Sequence, residues 1–188
     1  VYSIFGENNF AVLFVQAFID SITCVVIGLI TEKLIPRSFL ISGLLSAVNL
    51  NMIVLSGMIL TDTLFLFFFT IFILCILNYL KNQHPYHILM AISCLCIASL
   101  IRPISYYLIF FMLPFLLGFF IFKKISLKRL IIDLSIYLVT LLIAFGPLHY
   151  RNYVEYDSFS LTSQGGGHAL YWVVPATYQY SGKGSYEE

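Results

Sequence analysis

Long apolar runs alternate with short polar gaps along most of the chain. A helix that crosses the hydrocarbon core of a membrane needs about 20 mainly apolar residues, and most of the runs reach or approach that length. Because the membrane core offers no water to unpaired backbone groups, runs that are apolar on every side predict transmembrane helices rather than strands. Six spans are predicted, over residues 10–30, 38–60, 63–80, 87–101, 104–122 and 130–150.

The composition supports a membrane location. The 188 residues are 60% hydrophobic and 10% charged, whereas a soluble domain has about 25% charged residues. The predicted fold class is therefore an all-α, polytopic transmembrane helix bundle of about six spans. The net charge of +1 gives no strong attraction to nucleic acid, so no nucleic-acid partner is expected. The cysteines all lie in apolar runs and are expected to be small buried hydrophobes; they are Cys24, Cys75, Cys94 and Cys96.

Three regions are predicted along the chain. Residues 1–9 are interpreted as the remnant of a first outer loop, residues 10–151 as the six-helix bundle, and residues 152–188 as a non-cytoplasmic polar segment that leads into a further C-terminal part. The chain begins with Val1 and Tyr2, without an initiator methionine, and is therefore expected to be a fragment of a longer protein.

Basic residues in the gaps orient the bundle. Positive charge accumulates on the cytoplasmic side of membrane proteins. One side of the predicted bundle carries seven basic residues, namely Lys33, Arg37, Lys81, Lys123, Lys124, Lys128 and Arg129. The other carries three, namely Arg102, Arg151 and Lys183. The first side is therefore predicted to face the cytoplasm, and Asp62, Arg102 and Arg151 are predicted to share the opposite face.

Each of these three residues has two interpretations. Asp62 precedes an apolar run, so it is a candidate helix cap, or else a residue that binds a divalent metal or orients an acceptor. Arg102 and Arg151 each offer a donor fork that matches phosphate oxygens. Either arginine can instead anchor its helix end at the membrane surface by extending its charge to water.

Gln16 and Asp20 form a polar pair inside the first predicted span. Their spacing of four residues places them on one helix face. Polar groups in a membrane usually face a cavity or a neighbouring helix. The pair therefore either lines a cavity or forms hydrogen bonds between helices, with Asn49 or Asn51 as the partner in the second span.

Three further features have simpler explanations. The glycine run that contains Gly165 and Gly166 offers backbone N–H groups for an anion, although a flexible turn is sufficient to explain it. His84 and His87 have a spacing usable for metal but lie in a predicted cytoplasmic loop. Asp133 is expected to balance the charge of the neighbouring Lys128 and Arg129.

Four segments, in this order, carry a family resemblance: "VQAFIDSITCVVIGLITEKLI", "LSGMILTDTLFLFFFTIFIL", "ASLIRPISYYLIFFMLP" and "FGPLHYRNYVEYDSFSLTSQGGGHALYWVV". The chain resembles the polytopic glycosyltransferases of the dolichyl-phosphate-mannose protein mannosyltransferase superfamily, which have a C-type membrane fold, and their bacterial relatives. The resemblance covers nearly the whole chain. Two positions depart from it, because Leu148 stands where tryptophan often follows the proline, and Asp62 stands where glutamate is usual.

The resemblance implies a transferase that moves a sugar from a polyprenyl-phosphate-linked donor to a hydroxyl of a lipid, glycan or protein acceptor. The site is expected on the outer face of a membrane, most simply the bacterial cytoplasmic membrane. Asp62 is the candidate catalytic residue, and a divalent cation there is a possible cofactor. The residues expected to bind the lipid phosphate or substrate are Arg102, Arg151, Asn152, Gln16, Asp20, Gly165 and Gly166. The family's principal catalytic carboxylate lies in the first outer loop and is expected to be missing from this chain.

Two other functions remain open from the sequence. A membrane transporter or lipid flippase subunit would also use buried polar residues such as Asp20, although the chain shows no internal repeat of the kind that many transporters have. In a purely structural membrane subunit, Asp62, Arg102 and Arg151 would all be replaceable without consequence.

Overall fold

A computed structural model describes residues 9–58, 61–123, 125–161 and 169–182. The regular secondary structure in these ranges is helical, and several helices are long and apolar enough to cross a membrane. The predicted all-α polytopic membrane fold is thus confirmed. The chain divides into two compact units, Val1–Phe145 and Gly146–Glu188, and each is described by itself.

The helices of the first unit follow the predicted apolar runs. They are α1 (Asn9–Leu34), α2 (Phe39–Ala47), α3 (Leu50–Ser56), α4 (Asp62–Asn82), α5 (Pro85–Ile101), α6 (Tyr106–Lys123) and α7 (Leu127–Tyr156), with a 3₁₀ turn at Pro103–Ser105. Helix α7 ends in the second unit. There, a π-helical turn at Ala169–Val173 continues into α8 (Val174–Tyr180).

Among the residues that the structure describes, four segments qualify as membrane spans by length and composition: α1, α4, α7 and the segment Pro103–Lys123 that contains α6. A fifth span results if α2 and α3, which meet at 56°, are counted together. Helix α5 is apolar but has 17 residues, fewer than any of these four segments. The prediction of about six spans thus corresponds to four or five full spans and one short helix.

The bend between α2 and α3 has a local cause at Asn49. Its backbone is extended, and its side-chain oxygen accepts hydrogen bonds from the N–H groups of Asn51 (3.0 Å) and Met52 (3.3 Å). An asparagine in this position starts a new helix by satisfying its first N–H groups. The run predicted as one span over residues 38–60 therefore contains two helices. The Asn49 oxygen, a candidate partner for the polar pair of α1, serves as this cap.

Helix α1 turns tightly into α2. The carboxylate of Glu32 accepts hydrogen bonds from the backbone N–H groups of Arg37 and Phe39, each at 3.0 Å. Gly28 of α1 lies against Phe39, and a Cβ atom built on this glycine would approach the backbone oxygen of Phe39 to 3.0 Å. The absence of a side chain at Gly28 therefore permits the close approach of the two helices.

Helix α5 lies in the core of the first unit. Its residues Ile88, Ala91, Ile92, Leu95 and Ala98 are all 0% exposed. Its other face carries exposed apolar residues, so α5 buries one face against the neighbouring helices.

Within the first unit, a buried carboxylate near the start of α7 contacts α4. Asp133 is 0% exposed. Its Oδ2 atom accepts a hydrogen bond from the Tyr79 hydroxyl of α4 at 2.6 Å and another from Nε of Arg129 at 2.9 Å. The expected charge balance with Arg129 is present, and Tyr79 adds a link between helices that are distant in sequence.

The same face of α7 makes a second polar contact. Tyr137 follows Asp133 by one helical turn, is buried, and donates its hydroxyl proton to the backbone oxygen of Ile109 in α6 at 2.7 Å. Further along, Phe145 packs edge-on against Tyr106 with ring centroids 5.2 Å apart. This face therefore combines hydrogen bonds with aromatic packing.

We predict that Gly28→Ala destabilises the fold by about 1–3 kcal/mol, because the added methyl group would crowd the backbone of Phe39. The check is the midpoint of thermal unfolding in detergent. Gly118→Ala is the matched control, since a Cβ atom at Gly118 meets no atom within 4 Å. An equal change in both variants would contradict the proposed close contact.

We predict that Asp133→Ala lowers stability more than Tyr79→Phe. The first substitution leaves the Arg129 cation without its carboxylate, which costs about 3–5 kcal/mol for a buried pair; the 21% exposure of the Arg129 side chain favours the lower end. The second removes one hydrogen bond to a charged group, worth about 1.5–3 kcal/mol. Thermal unfolding in detergent measures both, with Tyr107→Phe on an exposed tyrosine as control. Equal stability of Asp133→Ala and wild type would refute the role of this carboxylate.

Candidate functional site

Asp62 and Arg102 form an ion pair in the first unit. Nη1 of Arg102 lies 2.5 Å from Oδ1 of Asp62, and their side chains are 48% and 14% exposed, respectively. Asp62 is the first residue of α4, and Arg102 directly follows the last residue of α5. Residues 40 positions apart in the chain are thus joined at adjoining helix ends, as the predicted common face requires of this pair.

Asp62 is not the capping residue of α4. The residue in the capping position of α4 is Thr61, which makes no side-chain capping hydrogen bond. Asp62 lies in the first helical turn, where a negative charge interacts favourably with the helix dipole. Its carboxylate pairs with Arg102, so helix stabilisation and pairing operate together.

Serine hydroxyls hold the backbone around Arg102. Ser99 and Ser105 are buried, and their hydroxyl oxygens lie 3.0 Å apart. The hydroxyl of Ser105 also donates to the backbone oxygen of Arg102 at 3.2 Å. Pro103 lacks an N–H group and starts the 3₁₀ turn, so the α5 helix stops at this point. These contacts fix the backbone from which the Arg102 side chain extends.

Ser99 and Ser105 were not among the residues predicted for the site. Their spacing is the available signal, because each lies three residues from Arg102. A hydroxyl in an apolar helix needs a local hydrogen-bond partner, and the break at Pro103 brings the two serines together.

Thr63, the second residue of α4, holds the start of this helix against α3. Its side chain is buried, and its hydroxyl donates to the backbone oxygen of Leu55 at 3.3 Å. This hydrogen bond ties α4 to the last turn of α3. The helix end that carries Asp62 is therefore attached to a neighbouring helix.

Asp20 lines a cavity in the first unit, between α1 and α2. The cavity has a volume of about 330 Å³, and its other lining residues are mainly small or apolar; they include Ser21, Cys24, Phe39, Gly43 and Ala47. Gln16, one helical turn before Asp20, is buried with 6% exposure. No residue from the ends of α4 and α5 lines this cavity.

Arg151 and Asn152 lie near the end of α7, in the second unit. The Arg151 guanidinium donates to Oδ1 of Asn152, at 3.1 Å from Nη2 and 3.4 Å from Nε. Glu155 lies 3.9 Å away, with both of these charged side chains more than half exposed. The guanidinium is therefore accessible and is directed mainly by the neighbouring amide.

The remaining predicted site residues lie elsewhere. Gly165 and Gly166 fall outside the described residues. His84 caps α5, because its Nδ1 accepts a hydrogen bond from the N–H group of Tyr86 at 3.3 Å. Within the described ranges, no group of three or more histidine, cysteine or acidic residues is arranged to hold a metal ion. Asp62 and the described residues around it thus do not form a complete metal site.

The helices define the chain as an integral membrane protein of the polytopic all-α class. The sequence profile of the dolichyl-phosphate-mannose-protein mannosyltransferase family matches residues 1–150. The chain therefore belongs to this family, and the predicted family is confirmed; the match covers the first three sequence segments and ends near the start of the fourth. Family membership assigns a membrane glycosyltransferase of the mannosyltransferase type and implies a lipid-linked sugar donor. No curated protein and no solved structure matches the chain.

We predict that Asp62 and Arg102 contribute little to stability. A pair with a half-exposed arginine is worth about 0–1 kcal/mol. A double-mutant cycle of Asp62→Asn and Arg102→Gln, followed by thermal unfolding in detergent, should therefore give a coupling energy of about 1 kcal/mol or less. A coupling energy of several kcal/mol would assign the pair a structural role instead.

Proposed function

We propose that the chain is part of a glycosyltransferase that moves a sugar from a polyprenyl-phosphate-linked donor to an acceptor hydroxyl on the non-cytoplasmic face of a bacterial cytoplasmic membrane. The observation that carries the proposal is the Asp62–Arg102 pair at adjoining helix ends in a member of this family. The excess of basic residues in the other gaps supports the outer position of the pair.

In the proposed reaction, the acceptor hydroxyl attacks the anomeric carbon of the sugar. The bond between this carbon and the phosphate oxygen breaks, and the lipid phosphate leaves with its additional negative charge. The hydroxyl proton passes to a carboxylate that acts as general base. This base is expected in the first outer loop, upstream of the helices described above. The acceptor can be a lipid, a glycan or a protein.

Arg102 is suited to bind the departing phosphate. In the described part of the chain, its guanidinium contacts Asp62 through Nη1, and a guanidinium has further N–H groups that can donate to phosphate oxygens. Positive charge that is already in place when the phosphate leaves would lower the barrier. In this proposal, Asp62 orients Arg102 or the acceptor.

Arg151 is proposed as a second phosphate ligand. It is more than half exposed, and its guanidinium is directed by Asn152. The charge pattern of the sequence supports its location on the outer side. Gly165 and Gly166 stay predicted as anion-binding backbone groups, and Gln16 and Asp20 as substrate-binding residues. A divalent cation at Asp62 also stays a prediction, and it would need ligands beyond the described residues.

A transporter or lipid flippase subunit is the alternative function. The observation in its favour is the cavity lined by Asp20, since ionisable groups within membranes often mark transport pathways. Substrate-dependent uptake into vesicles without sugar transfer would support this alternative. Sugar transfer that survives Asp20→Asn would separate the cavity from the reaction.

We predict that Arg151→Ala lowers sugar transfer at least 100-fold while leaving expression unchanged, because loss of a preorganised donor to developing charge costs about 10²–10³ in rate. The measurement uses membranes that contain the protein expressed from its full reading frame, with a radiolabelled polyprenyl-phosphate sugar as donor. A parallel arm with EDTA tests the divalent cation.

The control for this experiment is Lys81→Ala, at an exposed basic residue in the last turn of α4 on the predicted cytoplasmic side. Its transfer rate should match that of the wild type. Normal transfer by Arg151→Ala would remove Arg151 from the site. No detectable transfer by the wild type with any lipid-linked sugar would count against the enzyme proposal itself.

A further inference from the structure

Asn152 is a buried amide beside an exposed arginine in the second unit. It is 9% exposed, whereas the Arg151 side chain is 58% exposed. Buried polar groups need hydrogen-bond partners, and both ends of this amide have one. Its Oδ1 atom accepts from the Arg151 guanidinium at 3.1 Å, and its Nδ2 atom donates to the backbone oxygen of Ser160 at 2.9 Å. The amide therefore joins the arginine to a segment eight residues further along.

The chain reverses after α7 so that Ser160 can reach Asn152. Asp157 has a left-handed backbone with φ of 49°, a conformation that aspartate and asparagine adopt more readily than most residues. The N–H group of Ser158 then donates to the backbone oxygen of Asn152 at 3.3 Å. We call Asp157–Ser160 the return segment.

Two further contacts hold the return segment against the helix. The rings of Tyr153 and Phe159 stack with centroids 4.7 Å apart and an angle of 26°. Within the segment, the hydroxyl of Ser158 lies 2.8 Å from that of Ser160 and accepts from the N–H group of Ser160 at 3.2 Å. The carbonyl that receives the Asn152 amide thus belongs to a locally ordered turn.

We propose that Asn152 is a positioning residue that couples the direction of the Arg151 guanidinium to the return segment. This inference rests on the proposed function of Arg151 as a phosphate ligand. An exposed arginine loses rotamer entropy when it binds, and one that is already oriented loses less. The amide provides this orientation because its second hydrogen bond keeps it from rotating. Asn152 acts through Arg151 and need not touch the donor.

The principal variant is Asn152→Ala, which removes both hydrogen bonds of the amide. We predict that kcat/KM for the lipid-linked donor falls about 10- to 100-fold, the range for a displaced positioning group. Asn152→Asp retains an acceptor for Arg151 but has no N–H group for Ser160, so its kcat/KM should lie between those of Asn152→Ala and wild type. Asn82→Ala, at an exposed asparagine of α4, is the matched control and should transfer sugar normally.

A second readout follows the return segment without any sugar transfer. Ser160→Cys keeps the backbone oxygen and adds a thiol whose labelling by a membrane-impermeant maleimide can be timed. Asn152→Ala and Asn152→Asp should both accelerate this labelling, because the anchor to the Ser160 oxygen is lost in each. The parent without Ser160→Cys provides the background from the native cysteines.

The outcomes distinguish the two proposals. Faster labelling together with lower kcat/KM in Asn152→Ala supports the positioning role. An inactive Arg151→Ala beside a fully active Asn152→Ala overturns the positioning role alone, whatever the labelling rate. Normal transfer by Arg151→Ala overturns both proposals. If Asn152→Ala fails to fold, Asn152→Asp carries the same test, and wild-type labelling with wild-type kcat/KM in that variant overturns the inference.

Discussion

The absence of water in a membrane core constrains every polar group within it, and the structure of this protein depends on that constraint. A helix satisfies its own backbone, but its polar side chains must find partners in the protein. Asp133 is an example, since Oδ2 of its buried carboxylate accepts from the Tyr79 hydroxyl and the Arg129 guanidinium. The same requirement accounts for the hydroxyl contact between Ser99 and Ser105. Hydrogen bonds of this kind select which helices adjoin, because apolar side chains gain little by exchanging lipid for one another.

Where helices end, polar groups can serve chemistry as well as packing. Asp62 and Arg102 are proposed to do both, since the arginine is half exposed and the carboxylate lies in a first helical turn. Arg151 is similarly accessible, and its guanidinium contacts the buried amide of Asn152. In both places, a partly exposed guanidinium is in contact with a neighbouring side chain. In the proposed reaction, such a contact would keep the positive charge in place before the lipid phosphate leaves.

The apolar runs predicted the helices well, because length and composition alone decide whether a segment can cross a membrane. The run over residues 38–60 shows the limit of that reasoning. The sequence offered Asn49 only as a hydrogen-bond partner for the polar pair of α1; in the structure its side chain caps α3 at the bend in this run. The shared outer face predicted from charge is consistent with the contact of Asp62 with Arg102. The contact between Ser99 and Ser105 was not predicted, since the two hydroxyls meet only because the helix ends before Pro103.

The membrane class, the helical fold and the family could all be predicted from the sequence. These properties follow from local composition and from motifs that are read along the chain. Tertiary structure alone decided that Tyr79 meets Asp133, that Gly28 admits Phe39, and that the Asn152 amide joins Arg151 to Ser160. The physical reason is that a polar side chain in an apolar helix predicts a need for a hydrogen-bond partner but not the identity of that partner. Which partner it takes depends on how helices pack and where the chain turns, and neither is encoded in any short segment.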